Sequence, residues 1–210
     1  MIKHPYLMGV VLAGGKSRRM GRDKLLVELD GQQLLARAVE RLKEQMHYIV
    51  VVAPPNRPEL KMPDAALIAD NHEGFQGPLA GIFAGLFHAE VHGFESIVTI
   101  AADTPFFPDD YVDRIMGDTT RFVLPEERQV NIARTPDGLH PVFGHWSLNS
   151  MDTISNLLSQ DIRKVMAAAD AIGWDPIDFD ASGVDPFFNI NTPEDLERAE
   201  QIISNESIRN

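Results

Sequence analysis

Continuous apolar runs, not strict alternation, dominate the first half of the chain. Leu7–Leu12, Tyr48–Ala53 and Ser96–Ala102 are β-rich and are closed by Ala13-Gly14-Gly15, Pro54-Pro55 and Asp103. Runs of this kind fit parallel strands covered on both faces. Ala65–Ala69 predicts a further short strand, which Asp70 closes. Between the runs the period changes. Leu34, Leu35, Ala38, Val39, Leu42 and Met46 recur at helical spacing after the Asp30-Gly31 turn. Leu79, Ile82, Phe83, Leu86 and Phe87 do so from Pro78, a favoured first helical residue. Strand and helix in alternation predict right-handed βαβ units and a three-layer, Rossmann-like α/β fold with a mostly parallel sheet.

Past residue 120 the pattern shifts. Phe122–Leu124 and Val130–Arg134 read as strands, Pro136-Asp137-Gly138 as a turn and His140–Trp146 as a returning strand. A hairpin is therefore expected to join the sheet. Helices are predicted near Met151–Ser159, over Ile162–Ala169 and from Pro193 to Ile203. The last has Thr192 as N-cap and Asp195 three residues on. No internal repeat, low-complexity tract or linker interrupts residues 1–210, which read as one domain.

Composition narrows the field. Of 210 residues, 44% are hydrophobic and 24% charged, enough apolar content to exclude disorder over most of the chain. Lys plus Arg number 19 and Asp plus Glu 31, a net charge of −12 that argues against non-specific nucleic-acid binding. The absence of cysteine excludes disulfides, a thiol nucleophile and thiolate metal sites, and fits a reducing compartment. No apolar run approaches the roughly 18 residues of a membrane span. The apolar stretch Tyr6–Ala13 is too short for a convincing signal sequence and runs into a basic loop. A cytoplasmic protein without membrane contact is expected.

That loop is the most informative segment. Lys16, Arg18, Arg19, Arg22 and Lys24 place five of the 19 cations within nine residues, opposed by a single acid, Asp23. Gly14, Gly15 and Gly21 allow tight turns that aim backbone N–H groups at a ligand. The chemistry matches a polyphosphate: one charge pair at ~4 Å is worth roughly 4 kcal/mol at an effective dielectric near 20. It is not a Walker loop, because Val10 stands where the first glycine is required. The dinucleotide fingerprint also fails, with glycines at 14, 15 and 21. A solvated basic surface loop is the plain alternative.

These residues carry a resemblance. Leu12-Ala13-Gly14-Gly15-Lys16-Ser17-Arg18-Arg19-Met20-Gly21, followed by Asp23-Lys24, resembles the opening of a wide nucleotidyltransferase group. Gly77-Pro78-Leu79-Ala80-Gly81, Asp103-Thr104-Pro105, His140-Pro141, Arg163-Lys164-Val165-Met166 and Asn189-Ile190-Asn191-Thr192-Pro193-Glu194-Asp195-Leu196 extend it. Together the blocks resemble the molybdenum cofactor guanylyltransferases, the MobA family. The resemblance implies transfer of GMP from GTP to the phosphate of Mo-molybdopterin with Mg²⁺, giving the guanine dinucleotide cofactor and pyrophosphate. It implies nucleotide contacts at Leu12, Ala13, Gly14, Gly15, Lys24, Asp70, Gly77, Pro78 and Asp103. Lys24, Arg18, Arg19 and Arg22 would act on the phosphates. It further implies transient contacts with a Mo-insertion protein and with molybdoenzyme chaperones.

Each assignment has a plainer counterpart. Asp103 suits Mg²⁺, with phosphate oxygens and waters completing the shell, but Asp-Thr-Pro also makes an Asx turn. Gly77-Pro78 suits either a ligand-facing helix start or a helix start alone. Asn189 and Asn191 face one side if extended, and the resemblance puts them near the reacting phosphates and the pterin; the alternative is capping. His140, Arg163 and Lys164 suit either the acceptor or the surface. Pro54-Pro55 interrupts the stretch where the family carries an asparagine, so no contact is carried over to Asn56.

Three patterns are decoys. His88 and His92 sit at i and i+4, but Glu90 is third rather than second in the motif, so a solvent-facing pair is expected. Asp70-Asn71-His72-Glu73 lacks metal spacing, and Ser17 lacks a His–Asp set. Asp109 and Asp110 read as acids before a helix. Two other functions stay open: a cytidylyltransferase acting on molybdopterin or a sugar-like phosphate through the same loop, and a catalytically silent nucleotide-binding adaptor.

Overall fold

The computed structural model describes residues 4–14, 20, 23–70, 77–117, 130–181 and 183–209, with side chains as far as 205. The chain runs through β1 (Leu7–Leu12), β2 (Glu28–Leu29), β3 (Gln32–Gln33), α1 (Leu34–Lys43), β4 (Ile49–Ala53), β5 (Ala66–Ala69) and α2 (Pro78–Val91). It continues with β6 (Ser96–Ala101), α3 (Tyr111–Ile115), β7 (Val130–Thr135), β8 (Gly138–Ser147), α4 (Met151–Ser159), α5 (Val165–Ile172), β9 (Trp174–Asp178) and α6 (Pro193–Arg209). Seven of these strands form one sheet in the order β5-β4-β1-β6-β8-β7-β9, and β2 pairs with β3 across the Asp30-Gly31 turn.

The apolar runs became the central strands for the expected reason. Every residue of β1 and β4 is buried, and β1 lies parallel to both β4 and β6. One face carries α1 and α3: Leu35, Ala38, Val39 and Leu42 pack with Leu7, Val11, Tyr111, Val112 and Ile115. The other carries α2, α4 and α5 through Leu79, Ile82, Leu86, Ile154, Leu158 and Ala168. α6 closes a third cluster with Leu29, Leu34, Ile190 and Ala199. α2 sits unusually close to β1, because a Cβ on Gly81 would lie 2.7 Å from the Leu12 Cδ2 atom.

The hairpin joins as expected, β8 running antiparallel to both β6 and β7. Three expectations need correction. The helix expected over Ile162–Ala169 begins at Val165, because Asp161 is left-handed (φ 62°) and Lys164 is extended. α6 runs on to Arg209 rather than stopping at Ile203. β9, parallel to β7, was not anticipated: it contains Pro176 and is half-exposed, as an edge strand can be. The strand expected at Phe122–Leu124 lies outside the described residues. Among the described residues no helix is long and apolar enough to cross a membrane.

Candidate active site

From β1 the chain crosses through α1 to β4 on one side; from β5 it crosses through α2 to β6 on the other. The strand order therefore reverses at β1 and β6, and the crevice beyond their carboxyl ends is where an open α/β sheet takes its ligand. Ala13 and Gly14 leave β1 there. Ala13 N–H donates to the Val52 carbonyl (2.8 Å), and the Leu12 carbonyl accepts from Ala102 N–H (3.2 Å). The Leu12 and Ala13 side chains are buried, so Gly14 is the first exposed residue past the strand.

Asp103 stands two residues past β6. The Lys24 ammonium donates to its carboxylate and, at 3.0 Å, to the Asn191 side-chain oxygen. Lys24 and Asp103 are 79 residues apart in sequence, and their side chains are only 14% and 13% exposed. Lys24 opens a 3₁₀ turn, Lys24–Leu26, whose first residue is set by Asp23: its carboxylate accepts from Leu25 N–H at 3.2 Å.

The Asn pair is fixed by what lies between it. Ile190 is fully buried in the third cluster, and its N–H donates to the Asp103 carbonyl at 3.0 Å. Asn189 accepts from the buried Thr104 hydroxyl at 2.6 Å. Asn189 thus meets Thr104, and Asn191 meets the Lys24 ammonium that also bonds Asp103. The capping role also holds, on the neighbouring residues. Asp195 N–H donates to the Thr192 hydroxyl at 3.2 Å, and the Asp195 carboxylate accepts from the N–H groups of Asn191 and Thr192 at 2.9 Å.

On the opposite side of β1, Asp70 follows β5 with its N–H on the Ala53 carbonyl (2.9 Å), which puts it on the same edge two strands away. Gly77 caps α2 at φ 116°, a conformation open to glycine, and Pro78 is the first helical residue. Because Gly81 rests on Leu12, the start of α2 stands over the end of β1. Arg57, which no sequence motif singled out, reaches from the segment after β4 to the Asp23 carboxylate. Ion pairs across such sequence distances leave no trace in spacing.

Residues 9–172 match the MobA-like NTP transferase domain. The chain belongs to this family. A molybdenum cofactor guanylyltransferase of Rhizobium leguminosarum bv. trifolii is 37% identical over 202 residues, spanning 93% of this chain and 92% of its own. One from Rhodopseudomonas palustris is 36% identical over 211 residues and 99% of both chains. The crystal structure of molybdopterin-guanine dinucleotide biosynthesis protein A from Archaeoglobus fulgidus superposes with a TM-score of 0.75 at 28% identity, over 94% of this chain and 99% of that one. The three-layer fold expected from the apolar runs is thus the fold of the MobA-like transferases.

Among the residues expected in this MobA-like site, Lys24, Asp103 and Asn191 meet directly, and Asn189 joins through Thr104. Gly15, Lys16, Arg18, Arg19 and Arg22 lie outside the described residues. His140 sits beside the Asn segment: its ring packs 4.7 Å from that of Phe187 and bonds the Thr135 hydroxyl at 2.9 Å, and burial lowers its pKa. Arg163 instead pairs with Asp161 at 2.5 Å, and Lys164 is exposed before α5. His88 and His92 stack on each other, 3.9 Å apart, near the far end of α2. Among the described residues no three His, Asp or Glu side chains gather as metal ligands. What does converge on a cation is a pair of hard oxygens, from Asp103 and Asn191, around the Lys24 ammonium.

Proposed function

We propose that this protein transfers GMP from GTP to the terminal phosphate of Mo-molybdopterin, releasing molybdenum guanine dinucleotide and pyrophosphate. The observation that carries the reading is the Lys24–Asp103–Asn191 cluster at the carboxyl edge, in a chain 36–37% identical to two named guanylyltransferases. Their names favour guanylyl over cytidylyl transfer, and nothing in the cluster is degraded as a silent adaptor would allow.

An oxygen of the acceptor phosphate forms the new bond to the α-phosphorus. The bond from that phosphorus to the α–β bridging oxygen breaks, and its electron pair leaves on pyrophosphate. The nucleophile is already ionised at neutral pH, so no general base is needed. The chain supplies alignment and charge. Lys24 turns from its pairing with Asp103 towards the α-phosphate, while Asn191 holds the ammonium. Arg18, Arg19 and Arg22 hold the departing pyrophosphate. Gly14 and Gly15 meet the nucleotide through backbone, with Asp70, Gly77 and Pro78 on the nucleoside side and Asn189 on the acceptor side. Asp103, whose carboxylate already binds a cation and is freed when Lys24 turns, suits Mg²⁺. When bound, the ion supplies neutralisation of phosphate charge. Residues 1–210 act as one domain, and the cytoplasm, where GTP is plentiful, is the setting we assign.

Calorimetric titration with GTP, CTP and ATP, each with Mg²⁺, tests the reading. Preference for GTP is expected. Preference for CTP moves the protein to the cytidylyl alternative, and binding of none overturns the nucleotide site.

A further inference from the structure

The single acid in the basic loop has a specific partner. Arg57 donates to Asp23 through one terminal nitrogen and to Glu59 through Nε. The segment that presents it is stiff. Pro54, Pro55 and Pro58 fix three backbone angles, Asn56 turns in the left-handed region at φ 63°, and Leu60 is fully buried in the core under α1. Asp23 uses one carboxylate oxygen on Leu25 N–H, inside the turn that Lys24 opens, and the other on Arg57. The Arg57 and Asp23 side chains are 24% and 31% exposed, so the pair is part-shielded, not a loose surface contact. No other basic side chain among the described residues bonds Asp23.

We propose that Arg57 is a positioning residue for nucleotide binding that acts through Asp23. Through that ion pair it neutralises the carboxylate of Asp23, the one acid within residues 16–24. This rests on the GTP reading above. Without Arg57 the Asp23 charge faces the triphosphate uncompensated. The Asp23 charge would then oppose the attraction of Lys24 for the same phosphates.

The signature is epistasis of opposite sign. Asp23→Asn keeps an oxygen for Leu25 N–H but removes the charge, so it should weaken Mg-GTP binding by no more than about 3-fold. Arg57→Ala should weaken it by about 10-fold, because the freed carboxylate repels phosphate. Arg57→Ala with Asp23→Asn should bind better than Arg57→Ala alone, within about 3-fold of the unaltered protein. Arg57→Lys keeps the charge and serves if Arg57→Ala does not fold. It should stay within about 3-fold. Arg134→Ala, which breaks an exposed pair with Asp178, controls for loss of a surface ion pair and should change nothing. A purely structural role would lower the melting temperature and would not be rescued by Asp23→Asn. Additive losses in the double variant would show that Arg57 touches the nucleotide itself and would overturn the proposal, as would unchanged binding in Arg57→Ala. Failure of the unaltered protein to bind Mg-GTP would instead remove the functional reading on which the proposal rests.

Discussion

At the carboxyl edge, Lys24, Asp103, Thr104, Asn189 and Asn191 satisfy one another in a cluster drawn from three distant parts of the chain. In the interior of the same sheet, His145 on β8 lies 4% exposed, and neither ring nitrogen has a hydrogen-bond partner. The first is part-buried and the second fully buried, and they differ in what they cost. The edge cluster is charged and mutually paired, and in the proposed function its interactions are exchanged for those of a phosphate. His145 is tolerated only because it is neutral. Burial lowers its pKa to about 4. In the proposed function the edge therefore acts at little cost in stability, whereas the interior histidine is a stability liability.

The largest effect is expected from exchanging charge at the edge. Lys24→Gln keeps a donor for Asn191 and Asp103 but removes the ammonium. Turnover should fall by about 10²–10³-fold with the melting temperature nearly unchanged. A large loss of stability would show that the cluster holds the fold together.

His145 makes the converse test. Its folded pKa is about 4, whereas an unfolded histidine titrates near 6.5, so the unfolded chain takes up the proton first. Stability is full above about pH 6.5 and is lost as pH falls towards 4, by about 3 kcal/mol from this residue alone. Urea unfolding at pH 7.5 and pH 5 should show about 2 kcal/mol of that loss, and His145→Leu should flatten it without altering turnover at pH 7.5.

Gly77 lies between the two cases, because it caps α2 at the site in a backbone conformation that side chains rarely adopt. Among the described residues no atom lies within 4 Å of an added Cβ, so Gly77→Ala reports the backbone strain, at about 2 kcal/mol in unfolding free energy. The smallest effect is expected at Thr192. Thr192→Ala removes the N-cap hydroxyl from α6 and should cost about 1 kcal/mol. Asp195 would still brace Asn191 N–H, so turnover should fall by less than about 3-fold.

The sequence was most readable where one signal controls the structure. The buried runs of β1, β4 and β6 have no competing polar pattern, and their ends locate the site. β9 was missed because Trp174-Asp-Pro-Ile-Asp mixes charge and proline and belongs to a half-exposed edge. The start of α5 was missed because apolar spacing continues through Ile162, while the turn at Asp161 and the extended Lys164 depend on backbone geometry. In the site, Lys24, Asp103 and the asparagines could be named individually. Their meeting, and the clamp from Arg57 to Asp23, depend on pairing between segments that spacing does not encode.

Guanylyl transfer at the Lys24–Asp103 edge is tested by product analysis after incubating the protein with Mg-GTP and Mo-molybdopterin. One pyrophosphate should be released for each guanine dinucleotide formed. Pyrophosphate without the dinucleotide, or a cytidine dinucleotide formed preferentially when CTP is supplied, would contradict it.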